Sequence, residues 1–271
     1  MILQDLHTHS DYDDGHGTLR EVALSAERKG LSVVGFSGHS PLPFSNSWTM
    51  TEESLRTYMA DAQAVKKEMA GRVQVLVGLE YDTVSQLSLE GFDYVIGSVH
   101  HVPCGEEFLC VDETIPILEE VIDRYGEAEK VMECYFDRVA QIAEMDEVDI
   151  VGHFDLITKF NERKPFFDTA SPAYVAAARR AMEKLVAAGK IFEINTGAIS
   201  RGYRTEPYPS RALLMELRKM GGRITINSDS HDPDNLCFGF AEAKALAAEC
   251  GFTELWQYVD GTFRPQPLST L

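Results

Sequence analysis

The chain has 271 residues, 44% of them hydrophobic and 25% charged, and a formal charge of −18 from 25 basic and 43 acidic residues. That length and composition suit a globular protein with a sizeable core, and the acidic balance excludes a nucleic-acid backbone as the expected partner. Cys104, Cys110, Cys134, Cys237 and Cys250 are scattered with no Cys-x-x-Cys spacing, which argues against disulfide frameworks and zinc fingers. No apolar run approaches the ~20 residues of a membrane span, and the opening MILQDLHTHS lacks the basic and long apolar segments of a leader. A cytoplasmic protein without membrane attachment is expected.

In chain order, short apolar runs alternate with helix-period segments. A strand at 2–6 precedes a helix at 18–29, whose Thr18 and Glu21 have capping-box spacing. A strand at 33–37 leads to a helix at 52–69, which follows Thr51. Strands at 73–79 and 94–99 come next, then a helical pair at 115–122 and 128–145. A strand at 149–152 leads to a helix at 172–188, where Ser171 and Pro172 form a start signal. Strands at 191–195 and 223–227 are each followed by a helix, at 210–220 and 241–249. The tail after Gly251 reads as a short strand, a turn and an irregular end.

Most of these strands are apolar on both faces, as in a buried parallel sheet. Seven β–α units in unbroken alternation predict one closed barrel over 1–271, because right-handed crossovers bring the last strand back to the first. An open doubly wound sheet is the alternative, weakened by the lack of a Gly-x-Gly-x-x-Gly turn after the first strand.

Nearly every expected strand ends in a histidine or a carboxylate. His7 and His9 follow the first, His39 the second, Glu80 the third, and His100 and His153 end the fourth and fifth. Glu193 and Asn195 lie on the sixth, and Asp229 and His231 follow the seventh. In a β/α barrel such groups converge on one mouth, and the strand period of two aims His7 and His9 the same way. Each residue alone reads as a hydrogen-bonded core histidine or an ion-pair partner; the joint placement is the signal. Asp14, Glu80 and Asp229 would share one pocket without a lysine or arginine in their motifs. Two carboxylates ~4 Å apart repel by about 4 kcal/mol at an effective dielectric of ~20, so the cluster must protonate, pair or hold cations. Mixed histidine and carboxylate donors favour Zn, Mn or Fe over Mg or Ca. Three divalent ions balance three carboxylates, one hydroxide and one phosphate dianion, which points to a phosphate ester.

The motifs DLHTHSDYDDG, FSGHSPLPF, VGLEYD, DYVIGSVHHV, DIVGHFDLITKF, FEINTGAISRGYRTEPYPS and NSDSHDP run from residue 5 to residue 233. Together they resemble the polymerase and histidinol phosphatase (PHP) family, in its monofunctional histidinol-phosphatase branch. The resemblance implies a distorted (β/α)7 TIM-like barrel with three divalent metal ions (Zn, Mn or Fe). It also implies hydrolysis of L-histidinol phosphate in histidine biosynthesis. By motif, His7, His9, Glu80 and Asp229 would hold the first ion. Glu80 would bridge to a second on His100 and His153, and Asp14, His39 and His231 would hold the third. Asp14 is taken over Asp13 and His16 for this role; His16 otherwise reads as turn or pocket rim. His101 is left out, facing away from His100 by strand alternation.

One departure stands out. Gly38 lies where the family often has an acid, which leaves His39 without that partner. Glu80, Asp229 and His231 are the expected catalytic residues. Arg201 and Lys159 are candidates for clamping phosphate. Glu193, Asn195 and Asp82 are candidate acceptors for the substrate's ammonium and imidazole. The rival readings are a phosphoesterase for another small phosphomonoester and an amidohydrolase-like enzyme. A non-catalytic relative would have lost ligands, and none is clearly lost.

Overall fold

The computed structural model describes residues 3–270; Met1, Ile2 and Leu271 lie outside the described residues, and with them the expected strand start at Ile2. The elements follow in chain order as β1 (Gln4–Asp5), α1 (Leu19–Arg28), β2 (Val33–Phe36), α2 (Glu52–Glu68), β3 (Gln74–Asp82) and β4 (Tyr94–Ser98). A hairpin of β5 (His101–Cys104) and β6 (Glu107–Cys110) precedes α3 (Ile115–Tyr125), α4 (Ala128–Gln141) and β7 (Ile150–Val151). Then come α5 (Pro172–Ala187), β8 (Ile191–Asn195), the single turn α6 (Gly197–Ser200), α7 (Arg211–Lys219), β9 (Arg223–Asn227) and α8 (Phe240–Glu249). A second hairpin, β10 (Glu254–Val259) and β11 (Thr262–Pro267), closes the series.

Seven strands form one parallel sheet in the order β1-β2-β3-β4-β7-β8-β9. The sheet curls until β1 meets β9. A parallel bridge joins Thr8 to Ser230, with His9 N donating to Ser230 O at 2.8 Å and Ser230 N to His7 O at 3.1 Å. The expected (β/α)7 barrel is therefore present and nearly closed. The expected capping box is also present: Thr18 accepts from Glu21 N while the Glu21 side chain accepts from Thr18 N.

Three features depart from the expected elements. β3 runs on to Asp82, so Glu80 lies within a strand rather than beyond it; its first half pairs with β2 and its second with β4. The β5–β6 hairpin was not expected, and its pairing partners turn the chain away just after His100. The tail forms a hairpin in place of an irregular end, and Trp256, Tyr258 and Phe263 pack on the apolar residues inside the barrel.

Tyr94 fills the centre of that interior. Its buried hydroxyl donates to the carbonyls of Leu6 and Phe36, the latter at 3.2 Å. Gly35 and Gly78 make room for it, since a Cβ on either would overlap the ring. Gly78→Ala should therefore overpack the barrel and cost about 2 to 3 kcal/mol of stability, measured by denaturant unfolding. An unchanged unfolding midpoint would contradict this packing.

Candidate metal centre

The carboxyl ends of the barrel strands deliver the ligand atoms. Glu80 is the hub. Its Oε2 lies 2.7 Å from His39 Nδ1, 3.3 Å from His7 Nε2 and 3.7 Å from His9 Nε2. Its Oε1 lies 2.9 Å from His153 Nε2 and 3.4 Å from His100 Nε2. One carboxylate thus faces five imidazoles, with each oxygen serving a different group. Asp229 Oδ1 stands 3.2 Å from His9 Nε2, 3.8 Å from His7 Nε2 and 3.4 Å from His231 Nδ1. Its backbone has φ 48, an uncommon value for a side-chain-bearing residue, directly after β9. Asp14 Oδ1 lies 3.3 Å from His231 Nε2 and 3.6 Å from His39 Nε2.

Three overlapping sets have ligand atoms within 4.8 Å of one another: His9, Asp14, His39 and His231; His7, His9 and Asp229; and His39, Glu80 and His100. Eight of the nine expected ligands fall in these sets, and the ninth, His153, adjoins them through Glu80 Oε1. The grouping differs from the one the resemblance implied, because His9 is shared between two sets and His39 between two. Among the described residues, His7 Nε2 and His9 Nε2 are buried with no hydrogen-bond partner. A buried polar atom without a partner costs free energy, so these nitrogens fit a cation that accepts their lone pairs.

Carboxylates behind the histidines fix their orientation. Glu193 lies 3.0 Å from His7 Nδ1, Asp13 lies 2.6 Å from His9 Nδ1, and Asp82 lies 3.1 Å from His100 Nδ1. In each case the Nδ1–H is held from behind and Nε2 is turned inward, the usual support for a histidine ligand. Glu193 also accepts from His153 N at 2.7 Å and from the amides of Asn195 and Asn227, each at 2.8 Å. Asn195 reaches Asp229 Oδ2 at 3.2 Å. Neither Glu193 nor Asn195 lines the cavity, and Asp82 is occupied by His100 and His101. In this structure Glu193 and Asn195 are engaged with His7, His153, Asn227 and Asp229, and Asp82 with two histidines, so all three stand behind the ligands. His101 turns from the centre to stack on Trp48, with ring planes 3° apart. His16 is exposed at the rim, its N–H donating to His231 O at 2.6 Å.

A cavity of about 250 Å³ opens above this cluster, walled by Trp48, Asp112, Glu113, Lys159, Arg201 and Tyr203 beside the ligands. Arg201 donates to Asp229 Oδ2 at 3.0 Å and to His231 Nδ1 at 2.7 Å. Lys159 donates to Asp112 Oδ2 at 3.0 Å and lies 4.8 Å from the centre of the Tyr203 ring.

A model of the PHP domain matches residues 5–197. The chain belongs to the PHP family. The probable histidinol-phosphatase of Deinococcus radiodurans is 33% identical to it over 256 residues, covering 89% of this chain and 91% of that protein. The probable histidinol-phosphatase of Schizosaccharomyces pombe is 27% identical, covering 92% and 87%. Among solved structures, the histidinol phosphate phosphatase of Lactococcus lactis, complexed with Zn, L-histidinol and phosphate, shares the fold with a TM-score of 0.73. That structure is 21% identical, covering 97% of this chain and 98% of that one. No helix among the described residues of this PHP chain is long and apolar enough to cross a membrane.

Protein stripped of metal is expected to show a pH-dependent stability. Burial alone would lower the pKa of His9, but the Asp13 and Asp229 carboxylates overcome it and raise it to about 10. Burial likewise opposes the charge on Glu80 and Asp229; the surrounding histidines, and Arg201 beside Asp229, hold both well below the carboxylate range. A raised histidine stabilises fully below its unfolded value of ~6.5 and loses that contribution as pH rises through its folded value. Depressed carboxylates stabilise fully above ~4 and lose the contribution below it. Metal-free protein should thus melt at falling temperatures as pH goes from about 6.5 to 10. A saturating divalent ion should flatten the decline, because it replaces the proton on Nε2. Identical melting profiles with chelator and with zinc would refute this.

Proposed function

We propose that this chain hydrolyses L-histidinol phosphate to L-histidinol and phosphate, using divalent cations held by His7, His9, Asp14, His39, Glu80, His100, His153, Asp229 and His231. The observation that carries the reading is the buried ring of inward-facing nitrogens around Glu80, open to a cavity with Arg201 and Lys159 on its wall. The names of the relatives support the substrate, the Lactococcus lactis enzyme being complexed with L-histidinol and phosphate. That enzyme's zinc supports zinc among Zn, Mn and Fe, and the overlapping ligand sets are compatible with three ions. Residues 1–271 are read as one catalytic unit acting on a small soluble substrate in the cytoplasm.

Bound divalent cations would acidify a water and neutralise the charge that develops on the phosphate. The protein's own part follows from its donors and acceptors. Arg201 offers a planar pair of N–H groups that matches two phosphate oxygens, and Lys159 adds a point charge across the cavity. Asp229 stays ionised at neutral pH, so it suits holding a cation better than giving a proton to the leaving alkoxide. Asp112 and Glu113 are wall carboxylates able to face the substrate's ammonium, and Trp48 offers a flat surface for its imidazole.

The test is a panel of phosphomonoesters with and without prior metal stripping. Histidinol phosphate should be turned over at least tenfold faster than sugar or nucleotide monophosphates, and zinc or manganese should restore activity after chelation. Equal turnover of unrelated esters would move the assignment to a broader phosphoesterase. Cleavage of C–N bonds with no phosphate release would favour the amidohydrolase reading.

A further inference from the structure

We infer that Asp13 and Gly38 act as one unit: Asp13 supplies, from the first motif, the carboxylate that orients His9 and anchors the His39 segment, and Gly38 lacks a side chain because that carboxylate occupies its space. The inference deepens the proposed reading, in which His9 and His39 hold cations. Asp13 is a positioning residue, not a catalytic one.

The Asp13 side chain is wholly buried. Its Oδ2 lies 2.6 Å from His9 Nδ1 and accepts the His39 backbone N–H at 2.9 Å; its Oδ1 accepts Ser10 N–H at 2.9 Å. One carboxylate thereby ties the β1 and β2 ends together, through a ring on one side and a backbone on the other. Asp14 does not duplicate the contact: its Oδ1 is 3.9 Å from His9 Nδ1, and its side chain is 37% exposed.

Gly38 faces this carboxylate. A Cβ there would lie 3.2 Å from both Asp13 Oδ2 and Met50 Cε and 3.4 Å from Asp13 Cγ, closer than side-chain carbons commonly approach; the methionine end is flexible, whereas the carboxylate is held by three hydrogen bonds. Gly38 is not among the residues with positive φ, so the backbone does not require glycine there. The requirement is space and charge. A carboxylate grown from residue 38 would enter the volume Asp13 already fills and set two buried anions side by side. The same geometry means that an acid at 38 could deliver an oxygen to His9 once Asp13 is shortened. A carboxylate therefore does stand beside position 38, but it is Asp13, and it holds the His9 ring and the His39 backbone N–H, while the His39 ring faces Glu80.

The test is a double-mutant cycle of wild type, Asp13→Ala, Gly38→Asp and the double variant, read three ways. Zinc affinity by chelator competition should fall about 10- to 100-fold in each single variant and recover at least fivefold in the double relative to Asp13→Ala. In metal-free wild type, proton NMR should show a far-downfield imidazole N–H from the His9–Asp13 bond. That resonance should vanish in Asp13→Ala and return in the double variant. The melting temperature of metal-free protein should be lower in both singles than in the double. A double variant no better than Asp13→Ala, or Gly38→Asp indistinguishable from wild type, would overturn the inference. Should Asp13→Ala fail to fold, Asp13→Asn keeps the volume, and an unshifted N–H resonance in it would be equally fatal. The NMR and melting readings need no metal, so they decide the inference even if wild type binds no zinc and the functional reading fails.

Discussion

Glu80→Gln should lower turnover of histidinol phosphate by about 1000-fold or more, with purified protein short of at least one divalent ion relative to wild type. The change is one atom in shape, yet Glu80 is the carboxylate whose two oxygens serve different histidine groups: Oε1 faces His100 and His153, and Oε2 faces His7, His9 and His39. An amide can present an oxygen to only one of these groups. The NH2 on the other side has no lone pair to give a cation, and its hydrogens engage the nitrogen lone pairs that a cation would take. The negative charge that offsets neighbouring cations is also lost. Metal analysis alongside initial rates checks both halves, and a Glu80→Gln protein with full metal content and wild-type turnover would remove Glu80 from the centre of the mechanism.

Arg201→Ala should reduce kcat/KM for histidinol phosphate by about 100- to 1000-fold while the metal content stays near wild type; Arg201→Lys should recover only part. The guanidinium is held by the protein itself. Arg201 donates to His231 Nδ1 at 2.7 Å, so the proton of neutral His231 sits on Nε2, toward Asp14. Burial, His9 and Arg201 together push the His231 pKa down to about 4, which keeps the ring neutral. For Nε2 to serve as a ligand, the proton must sit on Nδ1, where the Asp229 carbonyl 3.1 Å away accepts it. Arg201 then loses its acceptor on His231 and can turn to phosphate. Inorganic phosphate should accordingly inhibit wild type more strongly than Arg201→Ala, and equal inhibition constants would deny Arg201 this role.

The strand-end histidines were legible because parallel strands are apolar runs and their last residues break that pattern. His7, His9, His100, His153 and Asp229 could be read that way without coordinates, and β8 and β9 have the expected bounds. Glu80 was found for a less accurate reason, since β3 carries it inside the strand. Asp82 and Glu193 were read from the sequence as substrate acceptors and Asp13 was passed over for Asp14, yet each of the three lies behind a histidine. Asp112 and Trp48 gave no signal, and Tyr203, though inside a quoted motif, was not singled out; they come from segments without periodicity and reach the cavity only through the fold around them.

The amino-acid order alone determined the alternation of strands and helices, its closure into a barrel, and the gathering of imidazoles and carboxylates at one end, because these follow from local periodicity and chain direction. Only the tertiary structure decided which carboxylates face the centre and which hold a histidine from behind. Period two fixes the side of a strand on which a residue lies but not its depth, and the pairs that set depth, such as His7 with Glu193, stand 186 residues apart.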